Sequence, residues 1–280
     1  NHAARGVARG TVSQIGAILS ATSAQDDVPN YYVSELLAGV EAESRSRDYG
    51  LQVAMWTGEM PAMVTDGSVA GVLFLGGSFP IETLLEQKLP AVLVGTSFQE
   101  WPHDSVLADN RRGAYLAVQH LVADGRRRIA FINGPETTRT SEAKCLGYRD
   151  ALRQGGIEMD PALMAEEEFD LARGHERALE MLDRVPDIDA FFVADDPVAI
   201  GVLHALQERG ISVPDQIAVL GYGDSPMGVV VRPRLSTVRV FQRWLGTLGA
   251  RRLLNRLKGE DDSAVQMCIS PELVLRETTR

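Results

Sequence analysis

The chain has 280 residues and a formal net charge of −10, from 28 basic and 38 acidic side chains. A domain that grips DNA over a broad face is basic, so this balance argues against nucleic acid contact for most of the chain. The hydrophobic content of 45% is ordinary for a globular protein, and no apolar run approaches the roughly 18 residues that span a bilayer.

Apolar runs alternate with helical spacings along the first half of the chain. Short apolar runs predict strands buried on both faces at 15–19, 51–55, 71–75 and 91–94. Apolar spacing predicts a helix over 32–47, and Asp109-Asn110 predicts the start of another helix that ends at Gly125.

The second half continues the alternation. Further strands are predicted at 128–132, 189–194 and 217–220, and helices at 141–154, 171–182 and 244–257. Leu248, Leu253, Leu254 and Leu257 form the predicted apolar side of the last helix. Short strand-like pieces follow within 265–275. This alternation predicts an α/β fold with parallel sheets that carry helices on both faces.

A helix is also predicted after the strand at 189–194. Asp196 is the expected N-cap and Pro197 the first helical residue. Ile200, Leu203 and Leu206 recur at helical spacing, and Gly210 is the expected left-handed cap. After the following strand, the chain is expected to form a loop up to Val240.

Several short motifs occur in order across this region. They are Ala194-Asp195-Asp196, Ala199-Ile200-Gly201, Val213-Pro214-Asp215, Gly221-Tyr222-Gly223-Asp224 and Pro233-Arg234-Leu235-Ser236-Thr237-Val238. In order and spacing this stretch resembles the effector domain of the lac repressor family of bacterial transcription regulators. The resemblance extends over nearly the whole chain.

The resemblance implies a two-lobed, periplasmic-binding-protein-like fold with three crossovers between lobes, near Ala108, Arg239 and Cys268. The expected N-lobe spans about 11–108 and 240–268, and the expected C-lobe about 109–238 and 269–280. By the same resemblance the effector binds between the lobes and changes the angle between them, the protein is a homodimer, and a DNA-binding headpiece contacts the operator.

Residues 1–10 match the hinge that follows the headpiece in this family, and the headpiece itself is absent from this chain. Ala4 and Val7 stand at the hinge positions expected to contact DNA, where Val7 replaces a leucine that wedges between base steps. The alternative is a disordered tail, since unanchored termini fray. The segment 56–70, with Pro61 inside it, is shorter than the family's helix there, so one lobe is expected to lack a cover.

The resemblance also implies the effector contacts. The expected effector-binding residues are Thr140, Lys144, Phe169, Asp195, Ser20, Tyr32 and Tyr222. Thr140 and Lys144 are four residues apart and so face one side of a helix. Asp195 stands where the family has an asparagine. Because a carboxylate only accepts hydrogen bonds, this position favours hydroxyl or amine donors.

Other polar positions of the family are lost here. Gly95, Gly223, Val240 and Pro197 stand where relatives carry polar side chains, so an ordinary hexose is not expected to be held in the usual way. A larger, less hydroxylated or positively charged effector would fit, although a sugar or sugar derivative stays the expected class. Trp101, Tyr31 and Tyr32 could stack on it, or they could be core or surface residues.

The chain carries no pattern typical of a metal, cofactor or catalytic site. It has no Cys-X-X-Cys, and its five histidines are scattered, so no metal or cofactor is predicted. Gly76-Gly77-Ser78 could cradle a phosphate, but a turn explains it. Asp195-Asp196 could form a catalytic or metal-binding pair, but the helix start explains half of it. Cys145 beside Lys144 could be reactive, or it could be a packed thiol.

The leading interpretation is therefore the effector-sensing domain of a transcription regulator, with no enzymatic activity. The alternative is a solute-binding protein of a transport system, which shares the fold. An enzyme of another α/β class is a third, unsupported possibility. No signal peptide is visible, and Cys145 and Cys268 are the only cysteines, so a cytoplasmic location without membrane partners is expected.

Overall fold

The computed structural model describes residues 13–20, 31–76, 79–86, 88–96, 101–135, 138–167, 170–260 and 263–280. Contacts divide the chain into two units. The first comprises Asn1–Ala108 and Phe241–Ile269, and the second comprises Asp109–Val240 and Ser270–Arg280. The chain therefore passes three times from one unit to the other. Hinge positions Ala4 and Val7 lie outside the described residues.

Strands and helices alternate along the described chain. The strands are β1 Gln14–Leu19, β2 Gly50–Met55, β3 Val72–Leu75, β4 Ala91–Val94, β5 Asp104–Ala108, β6 Ile129–Asn133, β7 Met164–Glu166, β8 Ala190–Val193, β9 Ala218–Tyr222, β10 Ser236–Arg239, β11 Gln266–Ile269 and β12 Glu272–Val274. The helices are α1 Tyr31–Ser46, α2 Ala62–Thr65, α3 Ile81–Glu86, α4 Asn110–Ala123, α5 Arg139–Gln154, α6 Leu171–Arg184, α7 Asp196–Glu208, α8 Met227–Val230 and α9 Gln242–Leu257.

The first unit is built on a parallel sheet in the order β11-β5-β4-β3-β1-β2. Strand β1 pairs with β2 on one side and with β3 on the other, so the direction of winding reverses between β1 and β3. In open parallel sheets, such a reversal opens a crevice at the carboxyl ends of the two strands.

Helices α1 and α9 pack closely on one another in the first unit. A Cβ at Gly39 would collide with the backbone carbonyl of Arg243, and one at Gly246 with that of Leu36. Only glycine allows the two backbones to approach this closely. Arg251 also pairs with the buried Glu43 across the same two helices, at 3.0 Å.

Strand β5 was not predicted, because it begins with a carboxylate rather than an apolar residue. Asp104 is fully buried, where it accepts hydrogen bonds from Arg256 on α9 and from the backbone of Val265, the latter at 2.8 Å. Arg252 adds an ion pair at 3.0 Å. These partners make a buried charge tolerable and hold β11 against β5.

The expectation that the segment 56–70 leaves one sheet uncovered is wrong. Pro61 precedes the one-turn helix α2, and Met63, Val64 and Val69 are buried in a cluster with Ile18 of β1 and others. A single turn followed by an apolar residue is therefore enough to cover this end of the sheet.

The second unit has the sheet order β12-β10-β9-β8-β6-β7. Its strand pairs are parallel except for β12, which runs antiparallel to β10. Here β6 pairs with β7 on one side and with β8 on the other, so the winding reverses between β6 and β8. Both sheets thus have the same winding, and helices lie on both faces, which confirms the predicted α/β class.

The core of the second unit is apolar on both faces of the sheet. On one face Phe131 stacks between Tyr148 and Phe192, with ring centroids 4.9 Å apart in each pair. On the other face α7 is buried nearly all round, and the predicted Ile200, Leu203 and Leu206 are among its buried residues. Gly210 follows this helix with a positive φ of 65°, as expected.

Several predicted boundaries differ from the structure. The stretch expected to be a loop before Val240 contains α8 and β10, and β10 was missed because it begins with two hydroxyl residues. Helix α6 extends to Arg184, and α9 begins at Gln242 after Phe241, whose φ of 55° is left-handed. Leu248 and Leu257 are only half-buried, and the buried apolar side of α9 is made by Leu245, Ala250, Leu253 and Leu254.

Each helix among the described residues is too short or too polar to cross a membrane.

Candidate functional site

Two adjacent carboxylates stand where β8 leads into α7, at the carboxyl edge of the second sheet. The N-cap is Asp195, which has extended backbone angles and makes no side-chain capping hydrogen bond. Asp196 is the first helical residue, so its expected role as the N-cap is wrong. Pro197, expected at the first helical position, is therefore the second.

Asp196 is held by the loop and strand beside it. Its Oδ2 accepts a hydrogen bond from the Ser225 backbone at 2.6 Å, and its Oδ1 accepts one from the Thr237 hydroxyl at 2.6 Å. Burial raises the pKa of Asp196 to about 6 in spite of these bonds. Gly221 on β9 leaves room for the carboxylate, since a Cβ there would collide with Oδ1. The role of Asp196 is therefore structural, as expected, but it rests on the bonds from Ser225 and Thr237 and not on capping the helix.

Asp195 differs from its neighbour in having an unpaired acceptor. Its Oδ1 is shielded from solvent and has no hydrogen-bond partner. Burial and, to a smaller extent, the charge of Asp196 raise the pKa of Asp195, the charge of Lys144 lowers it, and the resulting pKa is about 7. At neutral pH this carboxyl is therefore close to the midpoint of its titration.

Lys144 reaches the same place from α5. Its Nζ donates to the carbonyl of Ala194 at 3.0 Å and lies 4.4 Å from the centre of the Tyr222 ring. Burial lowers the pKa of Lys144 to about 8, which the charge of Asp195 partly offsets. Three of the predicted effector-binding residues, Lys144, Asp195 and Tyr222, thus lie close together, and Lys144 already bonds within the protein.

Tyr222 is buried at the end of β9. Its hydroxyl donates to Asn110 Oδ1 at 2.9 Å, and its ring lies against Gly113 in the first turn of α4, where a Cβ would not fit. Tyr222 therefore supports the base of the site and ties β9 to α4.

The first turn of α5 carries the remaining polar groups of this unit. Thr138 is the N-cap, and its Oγ1 accepts from the Ser141 backbone at 3.1 Å. Thr140 is half-buried, with its hydroxyl 3.2 Å from that of Thr138. Asn133, at the end of β6, donates through Nδ2 to the Ser141 carbonyl at 3.0 Å. Sequence reasoning missed Asn133, although an asparagine that ends a buried parallel strand is a usable signal.

In the first unit, Ser20 follows β1 and Tyr32 lies at the start of α1. Ser20 is buried beside Gly76, which has a φ of 103° and no space for a Cβ against the Ser20 Oγ. The Tyr32 hydroxyl occupies the place of a side chain at Gly95, 2.7 Å from where a Cβ would stand. Burial raises the pKa of Tyr32 to about 12. A tyrosine hydroxyl therefore fills the space beside Gly95.

Of the other predicted aromatic residues, Phe169, Trp101 and Tyr31, the structure describes the last two. Phe169 lies outside the described residues. Trp101 is a core residue, since it is buried and its Nε1 donates to the Asp104 carbonyl at 3.0 Å. Tyr31 is exposed at the start of α1.

The structure describes no group of three or more histidine, cysteine or acidic side chains, within the ranges given above, that could hold a metal ion. Gly76 forms a turn with positive φ, while Gly77 and Ser78 lie outside the described ranges. Cys145 is half-buried on α5 and Cys268 is exposed on β11.

Comparison with known proteins gives consistent results. The model of the periplasmic binding protein-like domain family matches residues 118–279. The chain is 28% identical to the ribose operon repressor of Haemophilus influenzae over 272 residues, which are 94% of this chain and 80% of that protein. It is 35% identical to the transcriptional regulator CelR of Thermobifida fusca over 170 residues, 61% of this chain and 50% of CelR.

Solved structures show the same relationship. A complex of a transcriptional regulator CelR with cellobiose superposes with a TM-score of 0.85 at 28% identity, covering 98% of this chain and 88% of that one.

Proposed function

The chain belongs to the periplasmic binding protein-like domain family, in the branch of effector-sensing domains of lac repressor-family transcription regulators, and on that premise we propose which effector it senses and where. The resemblance, the fold class and the regulatory role predicted from the sequence are confirmed. The similar proteins are regulators, so a sensing role is favoured over that of a transport solute-binding protein.

We propose that the effector contacts the second unit through Asp195, Lys144 and Thr140, with Tyr222 supporting them. The observation that carries this assignment is the buried, unpaired Oδ1 of Asp195 beside Lys144. A buried acceptor without a partner is rare in native proteins, and a hydrogen-bond donor on a bound effector would account for this one. Phe169, Ser20 and Tyr32 stay predicted contacts.

The proposed effector class is a sugar or sugar derivative. Two similar regulators are named for a ribose operon and for a complex with cellobiose, and a carboxylate acceptor suits hydroxyl donors. Effector binding would change the affinity of the regulator for operator DNA, which requires the effector to bind two conformations unequally. We further propose that the chain forms a homodimer and that it acts in the cytoplasm. No enzymatic activity is proposed for the chain.

A thermal-shift screen with sugars, sugar phosphates, nucleobases, amino acids and polyamines tests this function. A ligand at a hundred times its dissociation constant stabilises the folded state by about 2.7 kcal/mol. The proposal expects a sugar to raise the Tm, and expects Asp195→Ala and Lys144→Ala to remove that rise. The matched control is Asp215→Ala, an exposed aspartate paired with Arg280. No rise with any sugar would contradict the proposed class.

A further inference from the structure

A polar side chain lies at or just beyond the end of each strand that flanks the winding reversal of the second sheet. Asn133 is the last residue of β6, and Asp195 follows β8 by two residues. Parallel pairing aligns Ile132 with Val193, so the two residues leave neighbouring strands at the same edge of the sheet. Ligands of open α/β sheets bind at this kind of edge.

Both side chains present a buried acceptor without a partner. The Oδ1 atoms of Asn133 and Asp195 are shielded from solvent, and neither accepts a hydrogen bond. Asn133 is only 7% exposed. Its Nδ2 donates to the Ser141 carbonyl, which fixes the orientation of the amide and therefore the direction of its Oδ1. Two hydrogen-bond donors are therefore missing at this place, one for each Oδ1 atom.

We propose that Asn133 and Asp195 together accept hydrogen bonds from two neighbouring hydroxyl groups of the effector. Asn133 thereby becomes a specificity-determining residue of this site. The inference rests on the proposed function, because it names the ligand chemistry of the same site.

The charges around the pair favour a neutral ligand at this point. Two acceptor oxygens repel a phosphate or a carboxylate. A cation is disfavoured by Lys144, whose Nζ lies on the carbonyl of Ala194, the residue before Asp195. A hydroxyl group donates a hydrogen bond without adding charge, so a vicinal diol of a sugar or polyol satisfies both acceptors.

The test uses a fixed set of probes: glucose, ribose, their 2-deoxy counterparts, cellobiose and putrescine. Thermal shift first selects the sugars that bind the wild-type chain, and titration calorimetry then gives their affinities. We expect glucose or ribose to bind more tightly than its 2-deoxy counterpart. Asn133→Leu, which keeps the approximate shape without polar atoms, is expected to weaken that sugar by about tenfold. It should also reduce the preference over the deoxy sugar, which a merely structural role would not change.

Two further variants keep the result interpretable. Asn255→Leu is the matched control, since Asn255 lies on α9 and accepts a hydrogen bond from Arg47, and it should leave binding unchanged. Asp195→Ala removes the second acceptor and should weaken binding even if Asn133→Leu folds poorly.

The possible failures are distinguishable. If no probe binds the wild-type chain, both the sugar class and this inference are wrong. If a sugar binds but Asn133→Leu and Asp195→Ala bind it and its deoxy counterpart as the wild type does, the inference alone is wrong. If putrescine binds and none of the sugars does, the proposed recognition of a diol is wrong, and the result supports a sensing role with a cationic effector.

Discussion

The two sheets have the same winding, yet the edges at which the winding reverses carry different chemistry. In the first unit Ser20 and Gly76 directly follow the flanking strands, and the absence of a Cβ at Gly76 lets the serine hydroxyl lie against its backbone. In the second unit Asn133 ends one corresponding strand and Asp195 follows the other by two residues; both have an unpaired acceptor, and Lys144 lies beside Asp195. The two edges occupy the same place in their sheets, but the side chains make the first close-packed and leave two buried acceptors without partners at the second.

The second edge also contrasts two neighbouring carboxylates. Asp196 is nearly as buried as a core residue and is bonded by Ser225 and Thr237. Asp195 has no such partners at Oδ1. A buried polar group that is fully bonded holds a structure together, whereas one that is not fully bonded is available to a ligand. The following predictions test this contrast.

The largest effect of a substitution at a single pH is expected from Asp196→Ala. The substitution leaves the Ser225 N–H and the Thr237 hydroxyl buried without their acceptor, so we expect a loss of about 3 kcal/mol in the free energy of unfolding. Urea denaturation measures it. The control Asp215→Ala removes an exposed pair with Arg280 and should lose less than about 1 kcal/mol. Equal losses in the two variants would mean that the buried carboxylate has no special structural role.

A second prediction concerns the close packing of the first edge. Gly76→Ala places a methyl group against the Ser20 Oγ at a φ of 103°, so we expect a loss of about 2 to 3 kcal/mol from backbone strain and crowding together. Gly58 has a φ of 100° and no atom within 4 Å of a Cβ. Gly58→Ala should therefore show the strain alone, about 1 kcal/mol.

The crowding at Gly76 is separated from the strain by a double variant. Ser20→Ala removes the Oγ that the new methyl group would meet, so it should recover part of the loss when combined with Gly76→Ala. A double variant that loses as much as the sum of the single variants would show that the Ser20 hydroxyl is not what restricts position 76.

Apolar periodicity identified most of the fold, because most strands of this protein are buried on both faces. It failed where a strand is stabilised by polar contacts. Strand β5 begins with Asp104, which needs Arg252 and Arg256 from a distant helix. Strand β10 begins with Ser236 and Thr237, whose hydroxyls bond Thr279 and Asp196. Such partners lie far away in sequence, so local patterns do not reveal them.

The grouping of the candidate site residues could be predicted from the sequence only in part. Lys144, Asp195 and Tyr222 were named from motif positions, and the structure places them together. Sequence reasoning assigned the cap to Asp196 because aspartate before proline is typical of a helix start, but the bonds of Asp196 come from Ser225 and Thr237. The unpaired acceptor of Asn133 depends on three-dimensional burial, which one sequence does not show.

The third prediction uses the titration of Asp195. Its pKa is raised from 3.8 to about 7, so between these values the folded chain holds a proton that the unfolded chain releases. This group's contribution to stability is therefore full below pH 3.8 and is lost as the pH rises through 7. Relative to Asp195→Asn, the wild type should lose about 1.4 kcal/mol of stability for each unit of pH between pH 4 and pH 7.

The pH range of this change distinguishes the titration of Asp195 from that of Lys144. The pKa of Lys144 is lowered to about 8, so its contribution changes above that pH rather than below it. Urea denaturation of both proteins across the range measures the difference. A difference that stays constant, or that grows with pH in favour of the wild type, would mean that the folded chain does not raise the pKa of Asp195.

The smallest expected effect on stability comes from removing the hydroxyl of one of two tyrosines, one at the edge of each sheet. Tyr222→Phe keeps the ring under Lys144 but removes the hydroxyl bonded to Asn110, so we expect a loss of about 1 kcal/mol. The Tyr32 hydroxyl instead fills space beside Gly95, and Tyr32→Phe should change stability by less than about 0.5 kcal/mol. Thermal denaturation of the two variants makes the comparison. A larger loss for Tyr32→Phe would show that the first edge also depends on a specific polar contact, and would remove the distinction between a close-packed edge and a polar one.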